Sequence, residues 1–228
     1  MPAPPAIEFT EERLEIFPTH VFKRVYAGLD DVNRRLVQLC LDKEKTAAGL
    51  TRSNVGSWHS KSELFKWQDP AITVFASLVQ DFVHGYVAER LAREPAMFRS
   101  VFQIEGWANV SRAGDYAKPH VHPSSNFALV YYPDAGDAEP PAPGEKRTSG
   151  VLELLDPRGR PEMFQTPGVS PADTLSIAPR TGLMLLFPSW LYHFVNPYKG
   201  TRPRISLACN VTVAEVQELG VPENEAQP

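Results

Sequence analysis

Apolar residues in the first third of the chain recur at helical offsets. Leu29, Val32, Leu36 and Leu39 are spaced by three and four, and Asp30 and Asp31 stand in the opening turn, where carboxylates suit a helix dipole. A second amphipathic helix is expected from Pro70, a good first-turn residue, to about Leu91, with Ile72, Phe75, Val79, Phe82 and Tyr86 on one stripe. Beyond Arg99 the texture changes. Short segments rich in Val, Ile, Phe, Tyr and Trp alternate with clusters of Pro, Gly, Asp and Ser, predicting strands near 101–111, 126–132, 150–155, 174–178, 183–188 and 203–213. Two Pro- and Gly-rich stretches, 133–150 and 156–173, read as long surface loops between neighbouring strands, of the kind that form lids or shape entrances. A strand and helices followed by an all-β half of about eight strands predict a mainly β fold, a jelly roll or barrel-like sandwich braced on one face by helices.

Composition narrows the classes. With 228 residues and 43% hydrophobic content, one domain with a sizeable core is expected, divided into a helical support region (1–99), a β core (100–214) and a tail (215–228). A formal net charge of -4, with Lys and Arg scattered, argues against a nucleic-acid partner, since neutralising phosphates needs a concentrated basic surface. The first residues lack a basic, then apolar, leader pattern, and unbroken apolar runs such as 183–187 are too short to cross a bilayer. A cytoplasmic protein with no membrane partner is therefore expected. Cys40 and Cys209 lie in apolar surroundings and read as free buried thiols. The helical half is the face through which a homodimer would form.

Six histidines carry unequal weight. His84 falls on the polar side of the second helix and reads as a solvated residue, and His20, in a strand-like stretch, reads as structural. His59 follows a polar, Gly-containing loop and is a candidate for lining a pocket. In KPHVHPSS, His120 and His122 stand two apart, and a strand points such residues to one face. The pair alone is explained as well by packing as by a metal. His193, in the aromatic stretch FPSWLYHFVNP, adds a third imidazole, and three neutral imidazoles suit Fe(II), Zn(II), Ni(II) or Cu(II). Downstream, Arg204 and Ser206 share a strand face and could grip a carboxylate; by pattern alone, an arginine on a surface edge strand is an equal reading.

At these residues the sequence resembles the 2-oxoglutarate/Fe(II)-dependent dioxygenase superfamily, and within it a bacterial group of 2-oxoglutarate/Fe(II) oxygenases. The likeness runs through IFPTHVF, RSNVGSWHS, GWANVSRAGDYAKPHVHPSS, SGVLELLDPR and APRTGLMLLFPSWLYHFVNPYKGTRPRISLACN, and so spans most of the chain. The resemblance implies a double-stranded β-helix (cupin-like) core, with His120 and His193 as metal ligands and Arg204 with Ser206 on the distal carboxylate of 2-oxoglutarate. It also implies a pocket role for Trp107 and contacts to cosubstrate or substrate from Asn109 and Tyr132, with Tyr131 the alternative to Tyr132. The superfamily's usual H-x-D or H-x-E motif is here H-x-H, so His122 stands in the carboxylate position; Asp115 and Asp156 are the candidate substitutes for that missing charge, or else turn residues.

The activity implied is a dioxygenase using Fe(II) and 2-oxoglutarate, hydroxylating a small-molecule or peptide substrate with release of succinate and carbon dioxide. Two other readings stand beside it: a three-histidine, cupin-type metalloenzyme without 2-oxoglutarate, and a jelly-roll module that binds metal or ligand without turnover.

Overall fold

The computed structural model describes residues 17–137, 148–158 and 173–219. Its frame is two antiparallel sheets. Eleven strands are described: β1 (Phe22–Val25), β2 (Asn54–Val55), β3 (Trp58–His59), β4 (Phe98–Ser111), β5 (Tyr116–His120), β6 (Phe127–Asp134), β7 (Leu152–Leu155), β8 (Thr174–Ile177), β9 (Leu183–Pro188), β10 (His193–Val195) and β11 (Arg204–Glu218). The major sheet has the order β1-β9-β6-β11-β4-β3, and the minor sheet β2-β5-β10-β7-β8. This is the expected mainly β, double-stranded β-helix core with flanking helices.

Helix α1 (Asp30–Thr46) carries Asp30 and Asp31 in its first turn and Lys43 and Lys45 in its last, matching the dipole at both ends. Helix α2 (Pro70–Leu91) starts on Asp69, whose carboxylate accepts from the Ala71 amide at 2.9 Å while Pro70 fills the first turn. The same carboxylate accepts from Arg35 Nε at 2.8 Å, tying the start of α2 to α1. The predicted stripe Ile72, Phe75, Val79, Phe82 and Tyr86 is buried throughout, packed with Leu36 and Cys40 of α1 against the outer face of the major sheet. Each large side chain so buried contributes about 1.5–3 kcal/mol.

By length and composition alone α2 is long and apolar enough to cross a membrane, with a mean hydropathy of 1.3 over an 18-residue window, half of which is buried in the core.

The strand expected ahead of the helices is β1, and two further short strands precede α2. β1 extends the major sheet beside β9, β3 extends its other edge beside β4, and β2 extends the minor sheet beside β5. Strands of two residues cannot show a period, so β2 and β3 left no alternation to read. Three-residue β10 is nearly as short, β5 is the strand on which His120 was expected, and β11 outruns its expected end at 213 through a bulge between Val213 and Glu215. Of the two long loops, 138–147 and 159–172 lie outside the described residues. Cys40 and Cys209 are free and buried.

β11 sits centrally, paired to β4 on one side and β6 on the other. Its odd residues, Ile205, Leu207, Cys209 and Val211, enter the core beneath the helices. Its even residues, Arg204, Ser206, Ala208 and Asn210, face the space between the two sheets.

Candidate metal centre and cosubstrate pocket

That space is a cavity of about 610 Å³, within the range of small-molecule sites. The strand registers set out its floor in rows. Ser111 stands opposite Arg204, His59 and Ser206 flank Asn109, Trp107 faces Ala208, and Glu105 and Ala128 flank Asn210. The minor sheet supplies the facing wall, where His120 of β5 pairs directly with His193 of β10.

His120, His122 and His193 each offer a ring nitrogen, and the three nitrogens lie within 4.8 Å of one another. One detail differs from the sequence reading. β5 ends at His120, and His122 lies just beyond it, its backbone amide donating to Ser189 O at 2.8 Å. The strand-to-turn transition, rather than strand alternation, brings the second imidazole to the first. His193 likewise opens a short strand of its own after a turn, instead of closing the long apolar strand β9.

Each ring is fixed from behind. His120 Nδ1 meets Lys118 O at 2.7 Å, His193 Nδ1 meets Leu191 O at 2.8 Å, and His122 Nδ1 meets Asn210 Oδ1 at 2.7 Å. A carbonyl oxygen only accepts, so His120 and His193 carry their protons on Nδ1 and turn bare Nε2 atoms inward, as metal-binding imidazoles do. The fit to a divalent ion is also electrostatic. Desolvation by burial holds all three below the ordinary imidazole value, His122 at about 4 and His193 at about 3, so the rings are neutral near pH 7. His122 Nε2 and His193 Nε2 are 3.1 Å apart, a separation that two metal–nitrogen bonds of about 2.0–2.1 Å can span.

The surroundings are aromatic and stiff. His193 meets Phe187 edge-on at 4.9 Å, and His122 lies near-parallel to both His193 (5.0 Å, 9°) and Trp107 (5.7 Å, 15°). Trp107 stacks in turn with His59 (5.4 Å, 11°), whose Nδ1 is held by Ser60 O at 2.6 Å. His59 is buried beside the cavity, and burial lowers its pKa as well.

Arg204 closes the far end. Only 4% exposed, it holds its guanidinium carbon 5.0 Å from the centroid of the Tyr132 ring, and its Nε has no hydrogen-bond partner among the described residues. This removes the surface-arginine reading. A buried guanidinium that meets no carboxylate among the described residues is costly, and a ligand carboxylate entering the cavity would satisfy it. Ser206, also buried, lies on the same strand face between Arg204 and the histidines, with Asn109 beside it. Gly150 makes room for the arginine: at φ +63° it occupies a conformation suited to glycine, and a Cβ there would stand 3.3 Å from Arg204 Cδ and Nε.

The remaining candidates separate cleanly. Tyr132 lines the cavity, whereas Tyr131 points into the helical core and donates to Asn33 Oδ1 at 2.7 Å. Asp115 lies at the cavity edge but accepts from the Arg112 amide at 2.7 Å as a turn residue, and Asp156 is tied to Arg158; neither joins the three histidines. His84 is less solvated than expected, meeting Ser100 Oγ at 3.1 Å and Pro95 O at 3.0 Å. Sequence reasoning missed Asn210. Its signal was present in the alternation of β11, where Arg204, Ser206 and Asn210 share parity, but an asparagine in a strand carries no motif of its own.

Comparison with known proteins adds the following. Residues 105–210 match the family model described as "Putative 2OG-Fe(II) oxygenase". No curated protein matches the chain. Among solved structures, a Pseudomonas putida prolyl-4-hydroxylase aligns at TM-score 0.56 and 16% identity, covering 86% of this chain and 94% of its own. The epimerase SnoN of nogalamycin biosynthesis, titled as non-heme and alpha ketoglutarate dependent, aligns at TM-score 0.59 and 10% identity, covering 92% and 88%. HygX from Streptomyces hygroscopicus, solved with nickel and 2-oxoglutarate bound, aligns at TM-score 0.54 and 10% identity, covering 86% and 84%. At these identities the likeness to solved structures is one of fold.

Proposed function

We propose that the chain, whose residues 105–210 match the 2OG-Fe(II) oxygenase family model, is an oxidoreductase that uses Fe(II) and 2-oxoglutarate to hydroxylate a small-molecule or peptide substrate, releasing succinate and carbon dioxide. His120, His122 and His193 hold the metal. The observation that carries this reading is the pairing of two features in one cavity: three neutral imidazoles at one end and, at the other, a buried arginine whose Nε has no hydrogen-bond partner among the described residues. A three-histidine metalloenzyme or a simple binding module has no need of that arginine.

Fe(II) with 2-oxoglutarate supplies oxidative decarboxylation coupled to oxidation of a substrate C–H bond. The chain's own residues bind, orient and exclude water. Arg204 receives the distal carboxylate, presenting a planar fork of donors that matches two oxygens at once. Ser206 adds a hydroxyl on the same strand face, and Tyr132 supports the guanidinium from below. Asn109, one row from Arg204 on the neighbouring strand, offers an amide to cosubstrate or substrate. Trp107 and Phe187 flank the imidazoles and keep bulk water from them. His122 supplies no charge where a carboxylate would, so the dianionic cosubstrate is the principal counter-charge to the metal.

The test is anaerobic titration of the Fe(II)-loaded protein with 2-oxoglutarate, followed by oxygen. A weak metal-to-ligand charge-transfer band and succinate formation are expected. Absence of both overturns the reading.

A further inference from the structure

The three imidazoles are not held by equivalent partners. Backbone carbonyls hold His120 and His193, and a carbonyl leaves a ring only one neutral form, with hydrogen on Nδ1. His122 is held by the side chain of Asn210, Nδ1 to Oδ1 at 2.7 Å. A carboxamide has an acceptor end and a donor end, exchanged by a half-turn of its terminal bond. Asn210 can therefore satisfy His122 with hydrogen on Nδ1, by accepting, or with hydrogen on Nε2, by donating.

The other edge of His122 makes that choice matter. Its Nε2 lies 3.1 Å from His193 Nε2, which the Leu191 carbonyl leaves bare. If His122 also presents a bare nitrogen, two lone pairs face each other at hydrogen-bond distance, a repulsive contact unless a cation accepts both. With hydrogen on Nε2, the same 3.1 Å is an ordinary N–H···N hydrogen bond. Stacking on Trp107 and His193 fixes the plane of the ring, and both neutral forms fit within that plane. The strand fixes Asn210 as well, since its backbone is paired on both sides, to Glu105 and to Ala128. The freedom that remains lies in the amide and in the placement of one hydrogen, with no change of net charge.

We propose that Asn210 is a positioning residue that makes His122 a conditional ligand: with the amide donating, His122 hydrogen-bonds His193, and with the amide turned, His122 presents a bare Nε2 to a divalent cation. This rests on the reading of the three histidines as a metal site. The residue in the carboxylate position is thus the adjustable member of the set, while His120 and His193 are prearranged.

The test is two-bond ¹H–¹⁵N NMR of the imidazoles in the full ¹⁵N-labelled chain, first with chelator and then with one equivalent of Zn(II). Without metal, His122 is expected to carry its hydrogen on Nε2 while His120 and His193 carry theirs on Nδ1. With Zn(II), all three carry it on Nδ1. The Asn210→Asp variant, which can only accept, should hold His122 in the Nδ1–H form in both samples and bind Zn(II) about 10-fold more tightly; Asn210→Leu should weaken Zn(II) binding about 10- to 100-fold. If wild-type His122 shows Nδ1–H in both samples while Zn(II) still perturbs all three rings, the proposal is overturned and the metal site stands. If Zn(II) perturbs none of the three, the metal site fails and the proposal with it. The wild-type spectra decide the question even if a variant does not fold.

Discussion

Arg204 lies over the ring of Tyr132, its guanidinium carbon 5.0 Å from the centroid, in a part of the cavity where no described carboxylate meets it. Such a cation–π contact is worth about 2 kcal/mol when desolvated, well short of a full counter-ion. Replacing it should therefore act on cosubstrate binding more than on the fold. Arg204→Met is expected to weaken 2-oxoglutarate binding about 100-fold, near the 2–5 kcal/mol cost of removing one partner of a buried charge pair. Zn(II) affinity should stay within about threefold by the same separation of roles. Isothermal titration with each ligand in turn checks both halves.

The histidines should not be equally replaceable. His193→Ala removes a carbonyl-fixed ring from the centre of the triad and is expected to lower divalent metal affinity by more than about 100-fold. His122→Asp puts an oxygen ligand in the same position and should retain metal to within about tenfold, since carboxylates and imidazoles both bind such ions. Competition against a chromophoric chelator measures both.

The thiols offer a pH test away from the site. Burial pushes Cys40 from 9.0 up to about 12, with Glu44 adding to the shift, and raises Cys209 further still. Because the folded values lie above the unfolded ones, the native chain keeps these protons when the unfolded chain has lost them. Their contribution to stability is whole below about pH 9 and declines as pH rises from there towards 12. Native protein should resist iodoacetamide at pH 8.5, with both thiols alkylated once guanidinium unfolds the chain. Urea midpoints should fall between pH 9 and 10.5.

The turn entering β9 is another sensitive point. Gly182 adopts φ +82°, its amide donates to Tyr132 O at 2.8 Å, and a Cβ there would lie 2.3 Å from Tyr26 O. Gly182→Ala combines an unfavourable backbone conformation with a backbone clash and should destabilise by about 2 kcal/mol or more. For a domain of this size that is a fall in Tm of roughly 4–8 °C. Calorimetry should show it, with residual folded protein keeping its metal affinity.

What the sequence revealed follows from which features have a period. Helix α2 could be placed between Pro70 and Leu91 because a five-membered stripe, Ile72 to Tyr86, repeats over about four turns. Arg204 and Ser206 could be assigned to one face because β11 is long enough to alternate. β2, β3 and β10 are two or three residues long and left no such trace, so the union of the two sheets at the 52–62 segment was invisible. His122 was correctly grouped with His120, but through the wrong geometry, since the strand stops between them. Asn210 was overlooked because its meaning depends on a ring 88 residues earlier in the chain.

The alternation of β11 has a consequence for how such a protein can change. One face of this strand floors the cavity and the other seals the helical core, so inserting or deleting a single residue near Ala208 would exchange polar Ser206 or Asn210 for apolar neighbours on both sides at once. A register error would abolish the fold before it could alter the chemistry. Innovation in substrate is thereby channelled away from the central strands to the connections around the cavity mouth, where length can vary without disturbing either face.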